Sequence, residues 1–142
     1  DEDVTRKIRT PEVSDAASKI SAIPQVRAFL MDMQRDMAKS HNVVMDGRDI
    51  GTVVLPGADV KIFLTASAQE RANRRYIELV EQGNAVAFET VLADIIERDT
   101  RDSGRAAAPL KQAEGAVLID TTGISLEGSF QLLLQTVQEN LV

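Results

Sequence analysis

The sequence predicts an α/β domain built on a parallel sheet in three layers. Three observations lead there. Short apolar, β-branched runs at 42–45, 60–64 and 116–120 read as buried strands. Stretches with helical spacing and cap signals precede, separate and follow them, and strands that alternate with helices pack as a covered parallel sheet. Two of the runs end in carboxylate and glycine, as Asp46-Gly47 and as Asp120 followed by Thr121-Thr122-Gly123. That chemistry suits the carboxyl edge of such a sheet, where ligands bind.

The elements follow in order. Residues 1–9 are polar and read as extended. Thr10 then caps a short helix, with Pro11 at its first position, Glu12 near the positive dipole end and Val13, Ala16, Ala17 and Ile20 on one side. Pro24 opens a second helix to about Lys39, whose stripe of Val26, Phe29, Leu30, Met33 and Met37 reads as core packing. After the strands at 42–45 and 60–64, Ser67 and Glu70 make a capping box for a helix that Gly83 stops. Another helix spans 88–103. Ser125 caps the last, with Leu126, Phe130, Leu133, Leu134, Val137 and Leu141 as its buried stripe.

At 142 residues the chain is one domain, or one domain with a small appendage. Its formal charge of −6 argues against a general nucleic-acid binder, which needs a basic face. No apolar run is long enough to span a bilayer, and residues 1–10 lack a signal-peptide pattern. With no cysteine and one histidine, disulfides, thiol catalysis, a cysteine zinc site and a Ser-His-Asp triad have little to build on. His41 sits in a polar connector and reads as a solvated loop residue.

Arginine carries the chemistry instead. Between Lys61 and Lys111 there is no lysine, yet arginine stands at 71, 74, 75, 98, 101 and 105. Arginine is preferred where a planar fork must meet phosphate or carboxylate in fixed geometry. The turn Asp46-Gly47-Arg48-Asp49-Ile50-Gly51 offers such a fork beside two glycines that let backbone approach a ligand. It reads equally as a salt-bridged surface turn. Arg71, Arg74 and Arg75 share one helix face. Val91, Ile95, Arg98, Asp102 and Arg105 form one stripe that begins apolar and ends charged, as where a helix leaves the core and enters a cleft. Local salt bridging among Arg98, Asp99, Arg101 and Asp102 is the other reading of that segment.

With these residues in place, the chain resembles the bacterial cytidylate kinases, members of the nucleoside monophosphate kinase family. The resemblance is carried, in order, by KIRT with Arg9, DGRDIGTVVLPGADVKIFLTAS, ERANRR, ERDTRDSGRAAAPL and IDTT, and it covers essentially all 142 residues. It implies the P-loop-type kinase fold. One departure is plain: the family's phosphate loop, G-x-x-x-x-G-K-[ST], occurs nowhere in this sequence. The chain therefore reads as the C-terminal part of such a kinase, without the N-terminal strand or strands and the loop, and by itself it is expected to be inactive. Residues 1–40 would end the monophosphate-binding region, 41–66 would hold core strands, 67–110 a helical lid, and 111–142 a core strand and the last helix. By resemblance the strands at 42–45 and 60–64 flank the phosphate-loop strand, with 116–120 outside the second.

The resemblance also implies roles. Arg9 and Asp49 would face the cytosine of CMP or dCMP, the carboxylate accepting from the exocyclic amine. Arg48 would hold the monophosphate, Arg98 phosphate, and Asp102 the sugar hydroxyls. Arg105 would bridge toward the transferring phosphoryl group, so that Arg48, Arg98 and Arg105 carry the chemistry. Arg71, Arg74 and Arg75, with Arg105, would serve the lid and the ATP phosphates. The implied donor is ATP with Mg2+, no metal is held by side chains of this chain, and the partners are small nucleotides. A monomeric cytoplasmic enzyme without polynucleotide or membrane partner is expected. A non-catalytic nucleotide- or phosphate-binding module using the same arginines is the alternative. A UMP/CMP or adenylate enzyme fits the DGRD-I-G-T match less well.

Overall fold

The computed structural model describes residues 2–5, 7–8, 10–104 and 109–141. The chain resolves into two compact units, Asp1–Val44 and Met45–Val142.

The first unit contains helices α1 (Pro11–Ile20) and α2 (Pro24–Ser40). Thr10 caps α1 as expected, its hydroxyl accepting from the Val13 amide at 3.3 Å. Helix α2 starts on Pro24 without a side-chain cap and ends where the His41 amide donates to Met37. Its apolar stripe is not the packed core that periodicity suggests. No residue of α2 is buried, and Phe29 is 67% exposed. Spacing shows which side chains share a face; it does not supply a surface to cover them. The expected strand at 42–45 is not a strand either: its residues pair with no ladder partner among the described residues. A β-branched run becomes a strand only when another chain segment takes its amides and carbonyls.

The second unit carries the α/β character. A single π-turn, Ile50–Val54, follows the DGRD residues, with the Leu55 amide reaching back five residues to the Ile50 carbonyl at 2.7 Å. Strands β1 (Ile62–Thr65) and β2 (Val117–Asp120) are parallel, in register from Ile62 opposite Val117 to Thr65 opposite Asp120. These are the second and third predicted strands, neighbours as the resemblance implied. Among the described residues the sheet has two strands, not three.

Helices α3 (Ala68–Glu81) and α4 (Phe88–Ser103) connect the strands and pack on each other around Ala72, Leu79 and Val91. Ala72 is fully buried, and its small side chain lets the helices approach. Tyr76 meets Phe88 edge to face at 5.9 Å, an arrangement worth roughly 0.5–1.5 kcal/mol beyond its burial. Gly83 ends α3 in a Schellman motif, with φ at +82° while its amide bonds Val80 and the Asn84 amide bonds Leu79. Ser67 caps α3 by accepting from the Glu70 amide, but the other half of the predicted box is replaced. The Ser67 amide donates to the Thr122 hydroxyl at 2.8 Å. Helix α5 (Leu126–Asn140) is capped by Ser125 as expected. Of its predicted stripe, Leu126, Phe130, Leu134 and Leu141 are exposed, and the buried residue of the helix is Thr136. Two strands of four residues offer too little surface to cover that face.

Candidate active site

Helix α4 supplies the centre of the site. Its stripe runs from buried Val91 through Ile95, packed on the α3–α4 core, to Arg98 and then Asp102, which is 1% exposed. A carboxylate there faces two penalties. It is stripped of water, and it lies in the last turn of a helix, where the dipole favours cations. Arg48 answers both, its Nε donating to Asp102 Oδ2 across 54 residues of sequence. The Arg98 Nε lies 3.8 Å from the same oxygen. Two guanidinium groups from separate segments thus meet on one buried carboxylate. Bidentate capture of a phosphate needs paired N–H groups held in place, and the Nε contact with Asp102 fixes the plane of the Arg48 fork.

The DGRD residues are held from behind. The Asp49 carbonyl accepts from the Val53 amide at 2.9 Å and from the Thr52 hydroxyl at 3.3 Å, so the π-turn starts on it. Gly47 lets the chain pass close to Ile50: a Cβ there would stand 2.8 Å from the Ile50 side chain, which would have to move.

The three arginines of α3 part company. Arg71 donates Nη1 and Nη2 to the two carboxylate oxygens of Asp99 at 2.9 and 2.5 Å, and Nε to the Ala66 carbonyl at 3.1 Å. The Asp99 hydrogen bonds raise the Arg71 guanidinium above its ordinary value. Arg74 donates to the Thr121 carbonyl at 2.7 Å and to Glu70 at 2.9 Å. Arg75 pairs with Glu78 one turn on, at 2.7 Å. The charged end of α4 is accordingly not a purely local network. Asp99 reaches α3 and Asp102 reaches Arg48, whereas Arg101 pairs within the helix with Glu97.

The structure therefore brings Arg48, Arg98 and Asp102 together and sets Asp49 beside Arg48 in the chain. Arg9 and Arg105 lie outside the described residues. Residue-by-residue reading gave no role to the cluster at the end of β2. There the Asp120 carboxylate accepts from the Thr122 hydroxyl at 2.6 Å and the Thr122 amide at 2.8 Å, which hold its pKa below the ordinary range. The signal was present, a carboxylate followed by two hydroxyl residues at a strand end. An open depression of about 620 Å³, lined by Gly51, Thr52, Lys61 and Lys111, lies at the opposite, amino end of β1. Among the described residues no group of three or more carboxylate, imidazole or thiol side chains could hold a metal ion, and no helix is long and apolar enough to cross a membrane.

The architecture defines the class first: an α/β domain whose strands are linked by a helical hairpin that ends in arginines and a buried carboxylate. Within that class the chain belongs to the cytidylate kinase family, whose family model matches residues 1–139. It is 51% identical over 135 residues to a cytidylate kinase of Carboxydothermus hydrogenoformans, covering 95% of this chain and 61% of that protein. Against cytidylate kinases of a Geobacter species (strain M21) and of Shewanella denitrificans it is 49% and 51% identical over 140 residues, covering 99% of this chain and 60% and 62% of theirs. The chain thus spans about 60% of the length of the curated relatives it matches.

Proposed function

We propose that the full-length protein transfers a phosphoryl group from ATP to CMP or dCMP, giving CDP or dCDP. The observation that carries this reading is the meeting of Arg48 and Arg98 on buried Asp102, inside a chain of the cytidylate kinase family. Phosphoryl transfer asks for positioned positive charge around the equatorial oxygens rather than covalent chemistry. Arg48 and Arg98 supply that charge to the acceptor's monophosphate. Asp102 orients Arg48; at 1% exposure it is covered here, so its assignment to the sugar hydroxyls rests on the resemblance and needs the carboxylate uncovered when CMP binds. Asp49 accepts from the exocyclic amine of cytosine, where uracil carries a carbonyl instead. Arg105 is assigned to the transferring group on its motif alone.

ATP with Mg2+ is the donor in this reading. The residues of this chain do not fit a cradle for either: the sequence has no G-x-x-x-x-G-K-[ST] loop, and the described residues hold no carboxylate cluster. The α3–α4 hairpin is the lid that shields transfer from water. In this reading the enzyme acts as a monomer on small nucleotides in the cytoplasm; the formal charge of −6 speaks only against a polynucleotide partner.

The test is a coupled assay on the full-length protein with ATP, Mg2+ and a panel of monophosphates. CMP and dCMP should exceed AMP and GMP in kcat/KM by at least about tenfold. Asp49→Ala removes a charged hydrogen bond of roughly 1.5–3 kcal/mol, and so should lower kcat/KM for CMP by about tenfold to a hundredfold. CMP kinetics untouched by that substitution would remove Asp49 from base reading. Tight CMP binding without transfer would point to a nucleotide-binding module instead.

A further inference from the structure

Arg71 is one of the α3 arginines that the resemblance assigns to the lid and the ATP phosphates, yet its fork is already occupied. Both carboxylate oxygens of Asp99 accept from it, at 2.9 and 2.5 Å, and its Nε closes on the carbonyl of Ala66, the residue that follows β1. This is the parallel two-bond geometry in which an arginine–carboxylate pair is strongest and most directional. Asp99 is the residue next to Arg98 and stands one turn before Asp102. The pair therefore connects the carboxyl end of β1 to the turn of α4 that carries the cluster. Arg74 makes the corresponding tie from α3 to the carbonyl of Thr121, the residue that follows β2.

We infer that Arg71 and Asp99 form a positioning pair that sets Arg98 and Asp102 against the carboxyl end of β1, and that Arg71 does not serve by touching a phosphate. The inference rests on the kinase reading above. A phosphate could take the Arg71 fork only by displacing a bidentate carboxylate, and that carboxylate would repel it. A misplacement of about 1 Å in the groups that hold the acceptor costs transfer of the order of a hundredfold, and loosening the α4 turn by part of that distance costs correspondingly less.

The two roles predict opposite signs for Asp99. Were Arg71 a phosphate ligand, Asp99→Asn would release the fork, remove a repelling charge and lower KM for ATP. For a positioning pair, Asp99→Asn and Arg71→Lys should do the same damage on the acceptor side. Each should lower kcat/KM for CMP about tenfold in the full-length protein while moving KM for ATP less than twofold. The double variant should be no worse than the poorer single, since both break one contact. Asp99→Glu keeps the charge and should retain more activity than Asp99→Asn, which separates a positional loss from a folding loss. A lower KM for ATP in Asp99→Asn, or losses that multiply in the double variant, would overturn the inference. If the unsubstituted protein transfers nothing to CMP, the kinase reading fails by itself. The pair is then read from melting temperatures, where losses from the two singles that simply add would overturn it as well.

Discussion

The Arg48–Asp102 contact predicts an asymmetry that a surface ion pair would not show. Asp102 is 1% exposed in its side chain and Arg48 37%. Removing either partner loses the same charge-assisted bond, roughly 1.5–3 kcal/mol. What remains differs. After Asp102→Ala the orphan is Arg48, which water reaches, and the helix end sheds an unfavourable anion worth about 0.3–1 kcal/mol. The net cost should be about 1–2 kcal/mol. Arg48→Ala instead takes the nearer guanidinium from a buried carboxylate at a helix carboxyl terminus, leaving the Arg98 Nε at 3.8 Å, and breaking a buried pair costs about 3–5 kcal/mol. At roughly 2–4 °C per kcal/mol for a protein of this size class, the melting points should fall by about 2–8 °C and 6–20 °C respectively. Denaturant unfolding of the full-length protein, followed by far-ultraviolet circular dichroism, measures both on one scale. An Asp102→Ala variant that loses as much stability as Arg48→Ala, or more, would refute the burial argument.

Three further outcomes follow from other parts of the molecule. Arg98→Lys should lower kcat/KM for CMP about tenfold or more, because a point charge cannot reproduce a planar fork. Lys111→Arg, on the exposed loop before β2, should be nearly silent; equal activity of the two variants would return Arg98 to plain salt bridging. Thr122→Val removes the main donor holding Asp120 below its ordinary value of 3.8, so the carboxyl titration followed by carbon NMR should move upward. The sign is that of a lowered carboxylate: the hydrogen bond contributes above the ordinary value and is lost as pH falls through the native one, below about pH 4. An unmoved midpoint would dismiss the Thr122 contact. Gly83→Ala forces a side chain to φ +82° with no atom in its way, so its cost should be conformational alone, about 1–2 kcal/mol in equilibrium unfolding; no loss would mean that the Schellman turn relaxes freely.

What the sequence by itself determined is what acts within a turn or two of chain. Thr10, Ser67 and Ser125 cap their helices, Gly83 ends α3, and α4 spans the predicted 88–103, because caps and helical periodicity join residues three to five apart. The motif order likewise carried the family. Tertiary structure decided which partner each group takes. The run at 42–45 has the composition of a strand and is not one, because a ladder needs a neighbour. The apolar stripes of α2 and α5 have the right spacing and remain largely exposed, because burial depends on the surface opposite. Ser67 keeps its cap yet gives its amide to Thr122, 55 residues away. Arg71, Arg74 and Arg75 are alike in sequence, but one grips Asp99 on α4, one the carbonyl after β2, and one its own helix. A guanidinium fork accepts any carboxylate or carbonyl that arrives in its plane, and which one arrives is settled by packing between segments far apart in the chain.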